Sequence, residues 1–430
     1  MNIFVTKLCK NNCPYCFAQE FMQSRTELSR ENATKFIEFL RRNKKSIRRI
    51  LPELNIMGGE PFLYEDLGWF IKKIRSSKDQ LVEIITIFTG GIFPTKNLDL
   101  LDGIGHTTAL CLNLNEKKTY ASEAAYNQVI HNLKTIIDKK YLSVGLSYNI
   151  ASLDFNGDEI IETSKKFGIN HLRIAIANPV YGSENPGVVH PKDYHLLAPK
   201  VFKFIKKCHA NSIIVNLDCR IPLCFFTEKQ IGWFFLHNQR ISRGIQSCAC
   251  GGGPLCVSPE LEVSKCTVFH KKTLHLDYFS SVYDINGWVL NEIDHKFGIP
   301  DLYPKCATCP HRTRCSGGCP AWKKGFLDNP DEYAQLNEWV DLLNKNLHLY
   351  QQYTETKDNA IHDEFIKNGA KISKKFESLT RKKEPDMLYR MYLYHKMTGN
   401  SKQSRKYLRK AIHYGLNEKT IANFNNSGDE

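Results

Sequence analysis

The residues best suited to chemistry in this sequence stand close to its start. Cys9, Cys13 and Cys16 lie on one short segment, at spacings of four and three residues. Thiolates are soft ligands that favour iron–sulfur clusters or zinc. Three thiolates from one loop can hold three irons of a 4Fe–4S cluster and leave the fourth iron open to a small molecule. A zinc knuckle or a chance cluster of thiols is the alternative that the triplet leaves open.

The pattern of the first 180 residues predicts the elements that position this triplet. A short strand at residues 3–6 ends just before Cys9, and further strands are predicted at residues 54–57, 82–88, 107–114, 144–150 and 172–177. Residues 33–40 and 125–137 have helical spacing. Strands that alternate with helices imply parallel units. We therefore predict an α/β fold, a partial β/α (TIM-like) barrel of about six units.

Two glycine-rich segments follow the next strands of the predicted barrel. Gly58-Gly59-Glu60-Pro61 comes after the second strand, and residues 89–91, Thr-Gly-Gly, come after the third. Active sites of β/α barrels lie at the carboxyl ends of the strands. The cysteine loop and the glycine-rich segments are therefore expected to share one site.

Both motifs resemble those of the radical SAM superfamily, whose enzymes cleave S-adenosylmethionine (SAM). With Tyr15 as the aromatic residue, the triplet matches the family pattern CxxxCxΦC, and Gly58 to Pro61 matches its Gly-Gly-Glu-Pro-like segment. The resemblance covers roughly residues 1–180. It implies that the three cysteines bind a 4Fe–4S cluster and that the open iron chelates SAM, which argues against zinc.

The resemblance also implies roles in SAM binding. Tyr15 is expected near the adenine. Gly58 and Gly59 are expected to let the backbone approach the methionyl part closely, because neither has a side chain. Glu60 is expected to accept a hydrogen bond from the SAM ammonium group. Three polar residues near later strand ends are expected at the ribose or carboxylate, although such residues often only satisfy the backbone: Asn113, Ser147 and Asn149.

A second group of cysteines lies between residues 250 and 319. Taken alone, its last four members also fit a zinc ribbon. Behind a radical SAM domain, the group resembles a SPASM domain, which carries auxiliary 4Fe–4S clusters. That resemblance assigns Cys250, Cys256, Cys266 and Cys319 to one auxiliary cluster, and Cys306, Cys309 and Cys315 to a second.

The group departs from the SPASM pattern at three places. Leu261 stands where the pattern has glycine, and no cysteine follows Cys319. Thr267 replaces the acidic residue of the sulfatase-maturating enzymes, which argues against their oxidation chemistry. The second cluster is therefore incomplete, or its fourth ligand is the substrate or one of three carboxylates: Asp328, Asp331 and Glu332. Asp331 and Glu332 are alternatively expected to cap the helix that follows, and one or two auxiliary clusters are expected. Cys248 is an alternative to Cys250, and the roles of Cys219 and Cys224 are open.

The 430 residues suffice for three domains. We predict a radical SAM core at 1–205, a small loop-rich SPASM domain at 206–330, and a helical tail at 331–430, weakly tetratricopeptide-like, with two short helices around Gly399. The opening residues do not resemble a signal peptide, and no run of about 18 apolar residues predicts a membrane span. The 15 cysteines are clustered, as expected of metal ligands in a reducing compartment. We expect a cytoplasmic protein without a membrane partner.

The family resemblance implies an enzyme that modifies a ribosomally made peptide or protein. The outcome would be a thioether or carbon–carbon crosslink, an epimerisation or an oxidation, with an electron donor such as flavodoxin or ferredoxin as a partner. A net charge of +14 suits an acidic peptide, although a solvated basic surface explains it equally well. The alternatives are a small-molecule or nucleic-acid substrate, for which no aromatic-basic cluster is evident, and a non-catalytic iron–sulfur scaffold.

Overall fold

The computed structural model divides the chain into two compact units, residues 1–291 and 292–430. The structure describes residues 1–11, 13, 15–16, 24–76, 80–139, 141–178, 187–218, 221–237, 239, 255–294, 315, 318–319, 330–379, 382 and 385–414.

One sheet organises the first unit. Its strands are β1 (Asn2–Phe4), β2 (Leu51–Met57), β3 (Val82–Thr89), β4 (Thr108–Asn113), β5 (Ser143–Ile150), β6 (His171–Ile176), β7 (Ile214–Asp218), β8 (Cys256–Val257), β9 (Glu262–Ser264) and β10 (Thr273–His275). The strand order is β10-β9-β8-β1-β2-β3-β4-β5-β6-β7. Strands β1 to β7 pair in parallel, and β8 is parallel to β1. The carboxyl ends of these strands therefore lie at one edge.

Helices connect the parallel strands of this unit. They are α1 (Arg30–Ile47), α2 (Leu67–Arg75), α3 (Glu123–Asp138), α4 (Asp158–Lys166), α5 (Tyr194–Ala210), α6 (Glu228–Leu236) and α7 (Val282–Val289). Helix α1 shows why they form. The Ser29 hydroxyl accepts a hydrogen bond from the Asn32 backbone N–H at 3.1 Å and caps the helix. Phe36 and Leu40 then bury one face at helical spacing.

The two faces of the sheet differ in polarity because alternate side chains point to opposite faces. One face is apolar and buried, with Ile3, Leu54, Ile85, Leu146 and Ile174 among its members. The other carries polar side chains at positions paired across strands: Asn2 with Asn55, Asn55 with Thr86, Asn113 with Ser147, Ser147 with Arg173, and Arg173 with Asn216. The polar face is suited to a polar ligand.

The predicted fold class is confirmed, since the six predicted strands are present as parallel neighbours in an α/β fold. A seventh parallel strand, β7, was not predicted. It has only five residues and lies in the segment that the sequence analysis assigned to a loop-rich region. Helix α5 places it beside β6, where Ile174 and Leu217 are paired. The domain boundaries drawn from the sequence stay predictions.

Four helices make up the described core of the second unit: α8 (Pro330–Thr356), α9 (Asn359–Ser378), α10 (Pro385–Met397) and α11 (Ser401–His413). Buried Trp339, Phe376 and Tyr407 share one apolar cluster. The Asn346 amide of α8 donates to the Tyr394 hydroxyl of α10 at 2.5 Å. The two short helices predicted around Gly399 are thus observed as α10 and α11. Among the described helices, none is long and apolar enough to cross a membrane.

Candidate functional site

The three N-terminal cysteines follow β1 on a loop that leaves each of them half-buried. The Cys16 backbone N–H donates to the Cys13 carbonyl at 3.0 Å, and the Asn11 N–H donates to the Cys9 sulfur at 3.3 Å. Burial raises the pKa of Cys9 to about 12 and that of Cys13 to about 11. Thiolates at these positions therefore need a cation beside them, as iron would supply.

The backbone before Cys9 is held tightly against the glycine pair after β2. The Gly59 N–H donates to the Thr6 carbonyl at 2.7 Å, and the Glu60 N–H donates to the Leu8 carbonyl at 2.8 Å. A Cβ atom would lie 2.6 Å from the Thr6 oxygen at Gly58 and 2.2 Å from the Leu8 oxygen at Gly59. Glycine is therefore required at both positions for residues 6–8 to pack this closely, whether or not SAM is bound. Their predicted approach to the methionyl part of SAM stays a prediction.

Glu60 joins the end of β2 to the end of β3. Its carboxylate is buried and accepts hydrogen bonds from the Thr89 hydroxyl at 2.7 Å, the Gly90 N–H at 2.9 Å and the Phe62 N–H at 3.2 Å. Burial raises the pKa of Glu60 to about 7, and these donors oppose the rise. Glu60 therefore holds two strand ends together beside the cysteine loop, and its predicted contact with the SAM ammonium stays a prediction.

Tyr15 belongs to an amide network at the ends of β4 and β5. Its hydroxyl accepts hydrogen bonds from the side-chain amides of Asn113 at 3.0 Å and Asn115 at 2.6 Å. The Asn149 amide donates to the Asn113 oxygen at 2.7 Å. The structure thus brings three predicted residues together. Asn115 was not predicted. Its position two residues after Asn113 is the feature of the sequence that could have identified it as a site residue.

Ser147 contacts a different partner. Its buried hydroxyl accepts a hydrogen bond from the Arg173 guanidinium at 2.6 Å. Arg173 also pairs with Asp218, with an Nε to Oδ2 distance of 2.7 Å, and lies over the Phe88 ring. The sequence analysis missed Arg173 and Asp218. Arg173 could have been identified as a charged residue on the polar face of β6. Asp218 could not have been placed beside it, because β7 was not predicted.

The β8–β9 hairpin positions two of the later cysteines. Cys256 lies beside Asn2 of β1, whose amide donates to the Cys256 sulfur at 3.4 Å. Cys266 follows β9 by two residues. Burial raises the pKa of both thiols, to about 12 at Cys256, and the charge of Cys266 contributes to the rise at Cys256. The register of the hairpin pairs Cys256 with Ser264, two residues before Cys266. The assignment of Cys256 and Cys266 to one cluster stays a prediction.

The remaining ligand assignments of the SPASM prediction are not tested by the structure. Cys250, Cys306 and Cys309 lie outside the described residues, as do Cys219, Cys248 and Asp328. In the second unit Cys315 and Cys319 are buried, and in the first unit Cys224 is exposed. Asp331 and Glu332 follow Pro330, the first residue of α8.

The donor set of the N-terminal loop is three cysteine thiols, soft ligands of the kind that iron–sulfur clusters use. In the part of the chain that is described, no three His, Cys, Asp or Glu side chains converge on one point as ligands of one ion would. A 4Fe–4S cluster binds each thiolate through a different iron, so its ligands surround a wider volume. Cys9, Cys13 and Cys16 provide three such thiols and no fourth on their loop.

Comparison with known proteins agrees with this arrangement. Residues 1–131 match the family model of a 4Fe-4S single cluster domain. A GTP 3',8-cyclase from Aliarcobacter butzleri is 27% identical over 158 residues, which are 36% of this chain and 47% of the relative. An S-adenosylmethionine-dependent nucleotide dehydratase from a Fibrobacter species is 33% identical over 91 residues, 20% of this chain and 26% of the relative. The chain therefore spans less than half the length of these two relatives.

Among solved structures, Streptococcus suis SuiB bound to its precursor peptide SuiA has a similar fold. The TM-score is 0.53 at 15% identity, over 76% of this chain and 73% of SuiB. Residues 1–131 resemble a 4Fe-4S single cluster domain, and the chain shares its fold with SuiB.

Proposed function

We propose that this protein is a radical SAM enzyme that reductively cleaves SAM to a 5′-deoxyadenosyl radical and uses it to modify a ribosomally made peptide or protein. The observation that carries the proposal is the position of Cys9, Cys13 and Cys16. They follow β1 at its carboxyl end, directly after residues 6–8, which are held against Gly58 and Gly59 at the edge of a sheet with a polar face.

The residues of this edge have distinct tasks under the proposal. Cys9, Cys13 and Cys16 would hold the cluster. When bound, a 4Fe–4S cluster supplies the electron for SAM cleavage. The network of Tyr15, Asn113, Asn115 and Asn149 presents amide groups that orient a polar nucleoside. Glu60 keeps the ends of β2 and β3 in register beside the loop.

A peptide substrate is supported by the likeness to SuiB, which is described in complex with a precursor peptide. The two relatives named above act on nucleotides by their names, and this favours a nucleotide as the second candidate substrate. Their matches span 36% and 20% of this chain. These partial matches support SAM-dependent chemistry more strongly than they support a nucleotide substrate.

Auxiliary clusters complete the proposal. Cys256 and Cys266, which the β8–β9 hairpin brings together, would share one cluster with Cys250 and Cys319, and Cys306, Cys309 and Cys315 would contribute to a second. Iron analysis of anaerobically prepared protein should then approach the content of three 4Fe–4S clusters. One cluster together with bound zinc would contradict this part of the proposal.

The central test removes the cluster ligands. In protein reconstituted without oxygen, replacing Cys9, Cys13 and Cys16 together by Ala should abolish formation of 5′-deoxyadenosine and reduce the iron content by one cluster. Cys208→Ala is the matched control, because Cys208 is a buried thiol of α5 that packs in the apolar core. Continued SAM cleavage in the triple variant would refute the proposed function.

A further inference from the structure

The positive charge of the chain is concentrated in one part of the helical unit. Residues 365–414 contain 14 Lys and Arg but only three Asp and Glu, so they carry +11 of the net charge of +14. This segment spans most of α9 and all of α10 and α11. The cysteine loop does not explain this concentration of positive charge.

Helix α11 presents its charge on one face. Lys402, Arg405, Lys406 and Arg409 are exposed and follow one another at helical spacing, opposite buried Ser404, Tyr407 and Ala411. Within the described part of the chain, no ion pair involves these four side chains. Lys375 of α9, in contrast, pairs with Glu338 of α8. The basic face of α11 is thus available to a partner.

Helix stability does not account for this pattern. Lys402 lies in the first turn, where the helix dipole disfavours a positive charge. The pairs Lys402–Lys406 and Arg405–Arg409 set like charges four residues apart, and such pairs destabilise a helix. In α1, by comparison, Lys44 and Lys45 lie in the last turn, where the dipole favours them. The basic face of α11 therefore costs its helix stability.

Exposed apolar side chains accompany the charge. Ile412 is 42% exposed and lies three residues after Arg409, on the same face of α11. On α9, Lys367, Lys371 and Lys374 are exposed beside Ile366, which is 56% exposed. A nucleic-acid backbone has no apolar surface that could pack against these isoleucines, whereas an amphipathic polypeptide has one. Four tyrosines of this unit are buried in its core and cannot stack on bases: Tyr389, Tyr392, Tyr394 and Tyr407.

We propose that the basic face of α11 binds an acidic polypeptide segment in which Glu or Asp side chains and apolar side chains recur at helical spacing. Carboxylates of that segment pair with the lysines and arginines, and its apolar side chains cover Ile412. This proposal rests on the proposed function, since the segment would belong to the peptide substrate, outside the part that reacts.

The test is a binding experiment on the full chain. Fluorescence anisotropy would follow a labelled synthetic peptide that carries Glu and Leu at helical spacing. Replacing Lys402, Arg405, Lys406 and Arg409 together by Gln should weaken its binding by about tenfold or more. The matched control replaces four exposed basic residues of the first unit by Gln, namely Arg41, Arg42, Lys45 and Arg49, and should leave affinity within about twofold. Circular dichroism checks that both variants fold.

Two results would overturn the proposal. Equal weakening in both variants would mean that net charge alone attracts the peptide. Tighter binding of a single-stranded RNA of the same charge than of the peptide would assign the face to phosphates. Ile412→Ser gives a further check, since it should weaken peptide binding without changing the charge. The assay needs no SAM cleavage, so a failure here is distinguishable from a failure of the proposed enzyme activity.

Discussion

At the scale of single residues, Gly59 shows how closely the cysteine loop is held. A Cβ there would lie 2.2 Å from the Leu8 carbonyl oxygen, which is backbone and cannot rotate away. We predict that Gly59→Ala displaces residues 6–9 and prevents the N-terminal cluster from assembling. The iron content of anaerobically reconstituted protein should fall by about one cluster, and the visible absorbance should fall with it.

The matched control for this prediction is Gly232→Ala on α6. A Cβ at Gly232 meets nothing within 4 Å, and alanine favours a helix over glycine. This variant should keep its full iron content. If Gly59→Ala also kept it, the close approach of Thr6–Leu8 to the glycine pair would not determine cluster assembly.

At the scale of elements, Leu261 joins β8 to β9 in an unusual conformation. Its φ of +64° is left-handed, which favours glycine, yet its side chain is fully buried. The Leu276 N–H donates to its carbonyl at 2.9 Å and fixes the turn. The resemblance to SPASM domains implies glycine at this position, and glycine is the residue that a left-handed φ favours. Here burial of leucine offsets the backbone strain.

We predict that glycine at position 261 gives a more stable protein than alanine, the reverse of the usual order at a buried position. Both substitutions lose the buried side chain, at a cost of about 3–5 kcal/mol. Leu261→Gly also relieves the left-handed strain, of about 1–2 kcal/mol, and should be more stable than Leu261→Ala by about 1 kcal/mol. Urea unfolding measures both. At buried Val263 in the extended strand β9, alanine should be more stable than glycine, and the same order at Leu261 would contradict the prediction.

At the scale of the whole molecule, the two units have separate apolar cores. The first is built around residues such as Phe36 and Ile85, and the second around Trp339 and Phe376. We predict two calorimetric transitions. Removing iron with a chelator should lower the temperature of the transition of the first unit, because cluster binding stabilises the folded loop. The transition of the second unit should fall as well, because four cysteines that the proposal assigns to auxiliary clusters belong to that unit: Cys306, Cys309, Cys315 and Cys319.

Core substitutions assign the two transitions. Phe36→Ala should destabilise only the first unit, and Trp339→Ala only the second, each by about 3–5 kcal/mol. A single transition that moves with either substitution would show that the two cores unfold together.

Local patterns in the sequence were enough to predict much of this protein. The spacing of Cys9, Cys13 and Cys16, the glycine pair, six strands and the helices around Gly399 all depend on residues close together in the chain. Such features can be predicted from the sequence because helices and strands have fixed periods, and because the ligands of a cluster on one loop must be close together in the chain.

Contacts between distant segments were decided only by the tertiary structure. Asn115 meets Tyr15 across 100 residues, and Arg173 meets Asp218 through a strand that was too short to predict. Pairing of β8 with β1 places Cys256 beside Asn2, 254 residues away. These contacts depend on the register of neighbouring strands. The alternating pattern of one strand shows which face it buries, but its partner strand depends on how distant segments pack together in the sheet.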